Sequence, residues 1–322
     1  MLVLALATAT VAGTNANWNG YMQTRFTQQK NSASGFNIRR AKMWIAGSAP
    51  GHSQWYYKVQ SIFHPLNKGA FDLQDIFAEY RFHEWALRMG QLVPDFSLQR
   101  SQPDFNIPVL ERARVIDTLI PAAESGGRDI GMSLYLHPRS PVWHSSIGFF
   151  NGNGGNQLHN EDRHFLLTNR TAVALLHSPQ MMWQIGYSMM YRETEGLTFK
   201  KIFKDSRQFT GTDFRWGFET LFHWQHLNLQ AELIRANLND ELAWGAYFLG
   251  SLRIAEKQQI YLMVEKYHDV NAQTPEVQIA TAGYDYFIDE YFIKLMADVQ
   301  AQKEFSKINY CINIQMQLFL KR

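Results

Sequence analysis

The sequence predicts an all-β fold, a transmembrane antiparallel β-barrel of about sixteen strands with a constriction loop folded inward. Three observations lead there. Polar and apolar residues alternate through many short runs, tryptophans sit in or near the ends of those runs, and the alternation stops between Pro94 and Arg128. Successive side chains on a strand point to opposite faces, so alternation gives each strand one apolar and one polar side. In a barrel that crosses a membrane, the apolar side meets lipid and the polar side lines a wet lumen.

The last run shows the pattern best. Ile308, Tyr310, Ile312, Ile314, Met316, Leu318 and Leu320 share one face, and Lys307, Asn309, Cys311, Asn313, Gln315 and Gln317 share the other. Leu227, Leu229, Ala231 and Leu233 likewise oppose His226, Asn228, Gln230 and Glu232. Tyr291, Ile293, Leu295, Ala297 and Val299 oppose Lys294, Asp298 and Gln300. Ile260, Leu262 and Val264 stand against Gln259 and Glu265, and Phe214, Trp216, Phe218 and Phe222 against Arg215, Glu219 and His223.

In order, the expected strands are Trp18–Thr27, Phe36–Ser48, Ser53–Phe63, Phe71–Phe82 and Trp85–Gln91, then Asp129–Leu136, Val142–Asn151 and Arg163–Leu176. Met181–Arg192, Thr212–Trp224, His226–Leu238 and Glu241–Arg253 follow. Lys257–His268, Glu276–Phe287, Asp289–Gln300 and Ser306–Leu320 complete the set. Tight connections such as Gln225 or Ile288-Asp289 alternate with longer ones such as Glu193–Gly211, as in an outer-membrane barrel. The interruption holds Pro94, Pro103, Pro108 and Pro121, four of the ten prolines, so it is no central strand. A stretch of this length inside a compact domain is expected to be functional, and a loop in the barrel mouth fits it.

Composition agrees. Of 322 residues 46% are hydrophobic and 14% aromatic, enough to coat a barrel. The mean hydropathy of -0.30 argues against a helical bundle. No apolar run approaches the ~20 residues a spanning helix needs. A net charge of +2 gives no footing for nucleic acid, and the single cysteine, Cys311, excludes an internal disulfide. Leu2 to Ala12 is small and apolar, and Thr14-Asn15-Ala16 suits a signal peptidase. Residues 1–16 therefore read as a signal-peptide remnant, without the basic start, and 17–322 as one barrel domain.

Several segments resemble the phosphate-selective porin O and P family. Phe36-Asn37-Ile38-Arg39-Arg40-Ala41-Lys42 followed by Ala46-Gly47 looks like its second-strand motif. Met89-Gly90-Gln91 running into Pro94 to Arg100 is similar to the entry of its constriction loop. Leu110-Glu111-Arg112, Asp117 and Gly127-Arg128-Asp129-Ile130-Gly131 resemble the exit. Phe149 to Gly152, Tyr187 to Arg192, Trp216 to Glu219 and Gln230 to Glu232 also fit. The resemblance implies a trimeric outer-membrane porin that sits in lipid and passes small anions, phosphate among them, through a basic lumen. It places Arg39 and Arg40 at the family's paired arginines and Arg100 at its basic loop position. Tyr21 departs from the arginine expected of a phosphate-selective member, and Phe319-Leu320-Lys321-Arg322 departs from a terminal aromatic.

Strand parity puts Arg40 and Lys42 on the lumen face, opposite Met43 and Ile45. Arg39 has lipid-side parity and can reach the lumen only from the rim or a bulge. Lys58 and Gln60 share a polar face, as do Arg81 and Glu79, and Arg88. The expected pore residues are Arg39, Arg40, Lys42, Lys58, Arg88, Arg100 and Arg112. The loop's own charge is slightly acidic: Arg100, Arg112, Arg114 and Arg128 face Asp95, Asp104, Glu111, Asp117 and Glu124. Glu111 or Asp117 is expected to pair with a wall arginine.

No zinc-spaced histidine pair on a helix, no Gly-x-Ser-x-Gly elbow and no phosphate-binding loop before a helix occurs, so neither an enzyme nor a bound metal or cofactor is expected. A soluble β-sandwich binding a carbohydrate or other ligand, and a barrel-embedded hydrolase, are the alternatives.

Overall fold

The computed structural model describes residues 16–30, 33–64, 70–157, 159–160, 162–203, 207–270, 276–290 and 292–321. The expected signal segment thus lies, but for Ala16, outside the described residues. Sixteen strands form one closed antiparallel barrel in which each strand pairs with its sequence neighbours and β1 pairs with β16. The first five are β1 (Asn17–Gln29), β2 (Gly35–Ala49), β3 (His52–His64), β4 (Ala70–Phe82) and β5 (Trp85–Leu92). After the interruption come β6 (Asp129–Leu136), β7 (Trp143–Phe150), β8 (Leu166–His177), β9 (Met181–Thr198) and β10 (Gln208–Trp224). β11 (Leu227–Leu238), β12 (Glu241–Ala255), β13 (Gln258–His268), β14 (Val277–Asp289), β15 (Ile293–Glu304) and β16 (Lys307–Lys321) close the wall. Closure pairs every edge and removes the sandwich alternative.

The burial pattern is that of a membrane barrel, apolar outside and polar inside. On β16, Ile308, Ile312, Ile314 and Met316 are exposed while Asn313, Gln315 and Gln317 are buried. On β13, Ile260, Leu262 and Val264 are exposed in the same way. Among the described residues no helix is long and apolar enough to span a bilayer, so the crossing is made by strands. At one end β2–β3, β4–β5, β10–β11 and β12–β13 are joined by two residues each, while 93–128, 151–165 and 199–207 connect strands at the other. The exposed tryptophans Trp18, Trp55, Trp85, Trp143, Trp183 and Trp224 all lie at strand ends on the short-turn side, an interfacial belt.

Two expected boundaries are corrected. β9 and β10 run on to Thr198 and back to Gln208, through what read as a loop from Glu193 to Gly211. The ladder continues there because Thr194 is buried inside while Glu193 faces out, accepting from Tyr191 and Thr212. Such outward polar residues are costly only within the apolar band. β14 continues through Ile288 and Asp289, and β15 begins at Ile293 rather than Asp289, because the turn is closed by Phe292 N–H donating to Asp289 O.

Leu262 lies on the lipid face near the middle of β13. Leu262→Arg should lower the unfolding free energy by about 2–4 kcal/mol, read by urea titration in lipid vesicles. A loss below ~0.5 kcal/mol would contradict the outward orientation of that face.

Candidate functional site

The segment 93–128 between β5 and β6 folds into the barrel and carries two short helices, α1 (Leu98–Ser101) and α2 (Arg114–Leu119). It packs on the far wall, where α2 lies against β11, β12 and β13. Val115, Ile116 and Leu119 are buried with the wall residues Ile234, Ala236, Ala243 and Met263 in one apolar cluster. Gly245 provides the seat, since a Cβ there would fall 2.8 Å from Val115 Cβ. The lumen face of this wall is locally apolar for that reason. On β11 the inward positions change from Gln230 and Glu232 to Ile234, Ala236 and Leu238.

Polar groups fix the loop further. Leu98 and Gln99 N–H donate to the Glu232 carboxylate at 3.0 and 2.7 Å, and Tyr247 OH donates to it at 2.5 Å. Arg215, held by Asp213, donates to the Leu119 and Ile120 carbonyls at 3.0 and 3.1 Å. Inside the loop, Arg100 donates to the Gly126 and Gly127 carbonyls at 2.7 and 3.1 Å. Gly127 has a φ of 70°, and a Cβ there would meet the Arg100 guanidinium. The loop is braced at both ends and between them.

Two loop carboxylates grip the opposite wall, built from β1 and β2. Glu111 accepts from Arg25 at 2.6 Å, from Arg40 at 2.8 Å and from Arg39 Nη2 at 2.8 Å. Asp104 pairs with Lys42 and with Arg112, and lies 3.7 Å from Arg40 Nε. Arg39 reaches inward because the β1–β2 register skips it: Gln23 faces Arg40 and Thr24 faces Ile38. That is the bulge its lipid-side parity required. Burial opposes ionisation of Glu111, but Arg40, Arg39 and Arg25 outweigh it and hold its carboxyl well below the usual range. Burial is likewise outweighed at Asp104 by Lys42, Arg112 and Arg40, with the same result. The loop tip is latched by rings: Phe105 lies 5.5 Å from Tyr21, 5.0 Å from Phe319 and stacked 6.3 Å from Trp44. Tyr21, in place of the expected arginine, also donates to Asp104 at 3.3 Å.

Between loop and wall lies a cavity of about 480 Å³. Of the expected residues, Lys42, Lys58, Arg88, Arg100 and Arg112 line it, together with Arg81 and Arg128; Arg39 and Arg40 do not. Against these seven cations stand three acids, Asp75, Asp95 and Asp104. Exposure widens the difference. The side chains of Lys58, Arg81 and Arg88 are 24%, 33% and 28% exposed, whereas their partners Asp75 and Glu79 are 8% and 5%. Lys58 pairs with Asp75 at 2.7 Å, and Arg81 and Arg88 pair with Glu79 at 2.5 and 2.6 Å. A solute in the cavity therefore meets cations whose counter-charges lie beneath them.

Arg25, Arg81, Arg128, Arg192 and Arg215 were not among the expected residues. Arg25 shares its parity with Tyr21 and Gln23, so alternation on β1 points to it. Arg128 shares Asp75 with Lys58, at 3.0 Å, a pairing across the fold that no local pattern carries. Of the two acids expected on the wall arginines, Glu111 is there; Asp117 offers its carbonyl to Lys201 instead.

The family model described as phosphate-selective porin O and P matches residues 11–262. The chain belongs to this family. It is a porin of the bacterial outer membrane. No curated protein matches it significantly. The anion-selective porin from Comamonas acidovorans has a similar fold, with a TM-score of 0.72 at 11% identity over 95% of this chain and 100% of that one. OmpT of Vibrio cholerae in a trimer form is similar at a TM-score of 0.64, with 7% identity over 95% and 99%. The outer membrane channel DcaP of Acinetobacter baumannii matches at 0.63, with 11% identity over 97% and 99%.

Glu111→Gln leaves three guanidiniums without their shared carboxylate. It should cost about 3–5 kcal/mol of stability and raise the ratio of anion to cation permeability. Urea titration and reversal potentials read the two effects, and an unchanged pair of values would contradict the clamp. A carboxyl depressed in the folded state contributes stability that is present above the unfolded pKa of ~4 and lost as pH falls through the folded value. Single-channel conductance should therefore show no loop-release transition between pH 7 and ~4. A step centred near the ordinary carboxylate pKa would contradict it.

Proposed function

We propose that this porin is a passive diffusion channel preferring small anions, phosphate among them, and that it assembles as a homotrimer. The observation that carries the reading is the charge imbalance around the cavity, with Lys58, Arg81 and Arg88 exposed to the lumen and Asp75 and Glu79 buried behind them. Fixed positive charge in a narrow, low-dielectric passage raises the local anion concentration. A guanidinium can hold a phosphate or carboxylate through two parallel bonds. Lys58, Arg81 and Arg88 each already have a carboxylate partner, so a passing anion is held weakly and released, as conduction requires. The loop contributes size restriction and the β3–β5 wall contributes sign. Expected pore residues clamped on Glu111 (Arg39 and Arg40) act in this reading by fixing the loop. Lys58 and Arg88 act on the solute. The anion selectivity named for the Comamonas acidovorans neighbour and the trimer form named for the Vibrio cholerae one are consistent with both parts of the proposal.

Reversal potentials across a planar bilayer in a potassium chloride gradient should have the sign of chloride preference. Lys58→Gln should shift them toward cations. Cation preference in the unaltered protein would overturn the reading.

A further inference from the structure

The exposed cations of the cavity are not set in a bare polar wall. Arg81 lies with its guanidinium carbon 4.2 Å from the centre of the Tyr56 ring, and that of Arg88 lies 4.4 Å from the Phe77 ring. Tyr56, Phe77 and Trp44 are half-buried and line the same space. Arg81 gives only Nε to Glu79, and among the described residues its two terminal nitrogens have no hydrogen-bonded partner. Lys58 uses one bond, to Asp75. Strand register keeps these groups together, because Lys58 faces Phe77 and Tyr56 faces Glu79 across the β3–β4 ladder. The result is an unused planar fork and an ammonium beside a run of aromatic surface, in a cavity of about 480 Å³ that is far larger than one phosphate ion needs.

We infer that this pocket is a binding site for aromatic carboxylates, with the carboxylate on Arg81 and Lys58 and the ring against the aromatic wall and the open guanidinium face. A bare inorganic anion uses only the first half of the site. A benzoate-like anion uses both, since guanidinium stacks on aromatic faces as well as pairing with carboxylate. The two carboxylates beneath, Asp75 and Glu79, keep the cations from binding any anion irreversibly. This inference rests on the anion-channel reading and names a solute class for it.

The test is block of chloride current through the purified porin in a planar bilayer by benzoate and by acetate, which carry the same charge. Benzoate should half-block at a concentration roughly three- to thirtyfold below acetate, the gain one stacked cation gives. Arg81→Gln should remove most of that difference while heat-modifiable gel mobility persists, which certifies the barrel. Arg81→Lys, which keeps the charge and loses the plane, should also lose the difference. Equal block by the two anions, with chloride preference intact, overturns this inference and leaves the channel reading standing. A benzoate advantage that survives both Arg81 variants overturns the assigned site. Cation preference of the unaltered protein overturns both readings.

Discussion

The constriction depends on two carboxylates, Glu111 and Asp104, held ionised by the wall they grip. Glu111 is surrounded by cations from β1 and β2, and Asp104 by cations from β2 and the loop itself, so each resists protonation despite its burial. Removing one charge from such a group costs more than the pair contributes net, because the partners are left buried and uncompensated. The far side of the loop is secured differently, by Val115, Ile116 and Leu119 packed on an apolar wall. Ion pairs on one side, and apolar contact with hydrogen bonds to Glu232 and from Arg215 on the other, pin the segment across the lumen.

This division explains how one barrel keeps a positive passage while hosting an acidic loop. Counted alone, the loop is slightly negative, yet two of its five acids, Glu111 and Asp104, are spent on Arg25, Arg39, Arg40, Lys42 and Arg112. The cations left facing water belong to β3, β4 and β5, over Asp75 and Glu79. Partial exposure moderates their field, because water screens a charge it can reach. It also leaves them accessible to solute, which a deeply buried arginine is not.

Most of the barrel was legible in the sequence because a two-residue period is a direct print of a wall with lipid on one side. Strands such as Asp129–Leu136 coincide with expectation for that reason. The period fails where the physics changes. Beyond the apolar band, Glu193 and Glu195 face water, so the upper part of β9 looked like a loop. At Ile234 the inward face of β11 turns apolar because the loop docks there, and a break in alternation marks a contact rather than a strand end. The inward reach of Arg39 was legible as a condition, a bulge, whose fulfilment depends on β1–β2 register. Which cations are clamped and which are open was not legible. It depends on Glu111 meeting strands some seventy to ninety positions away in the chain, a pairing that no local pattern contains.

The most direct test of this account is a double-mutant cycle between Asp104 and Lys42, using Asp104→Asn and Lys42→Gln with unfolding free energies measured in lipid vesicles. If loop acid and wall cation hold one another, the double variant loses less stability than the sum of the single ones, with a coupling of about 1–3 kcal/mol. Additive losses would contradict the claim that the loop is fixed by these charges.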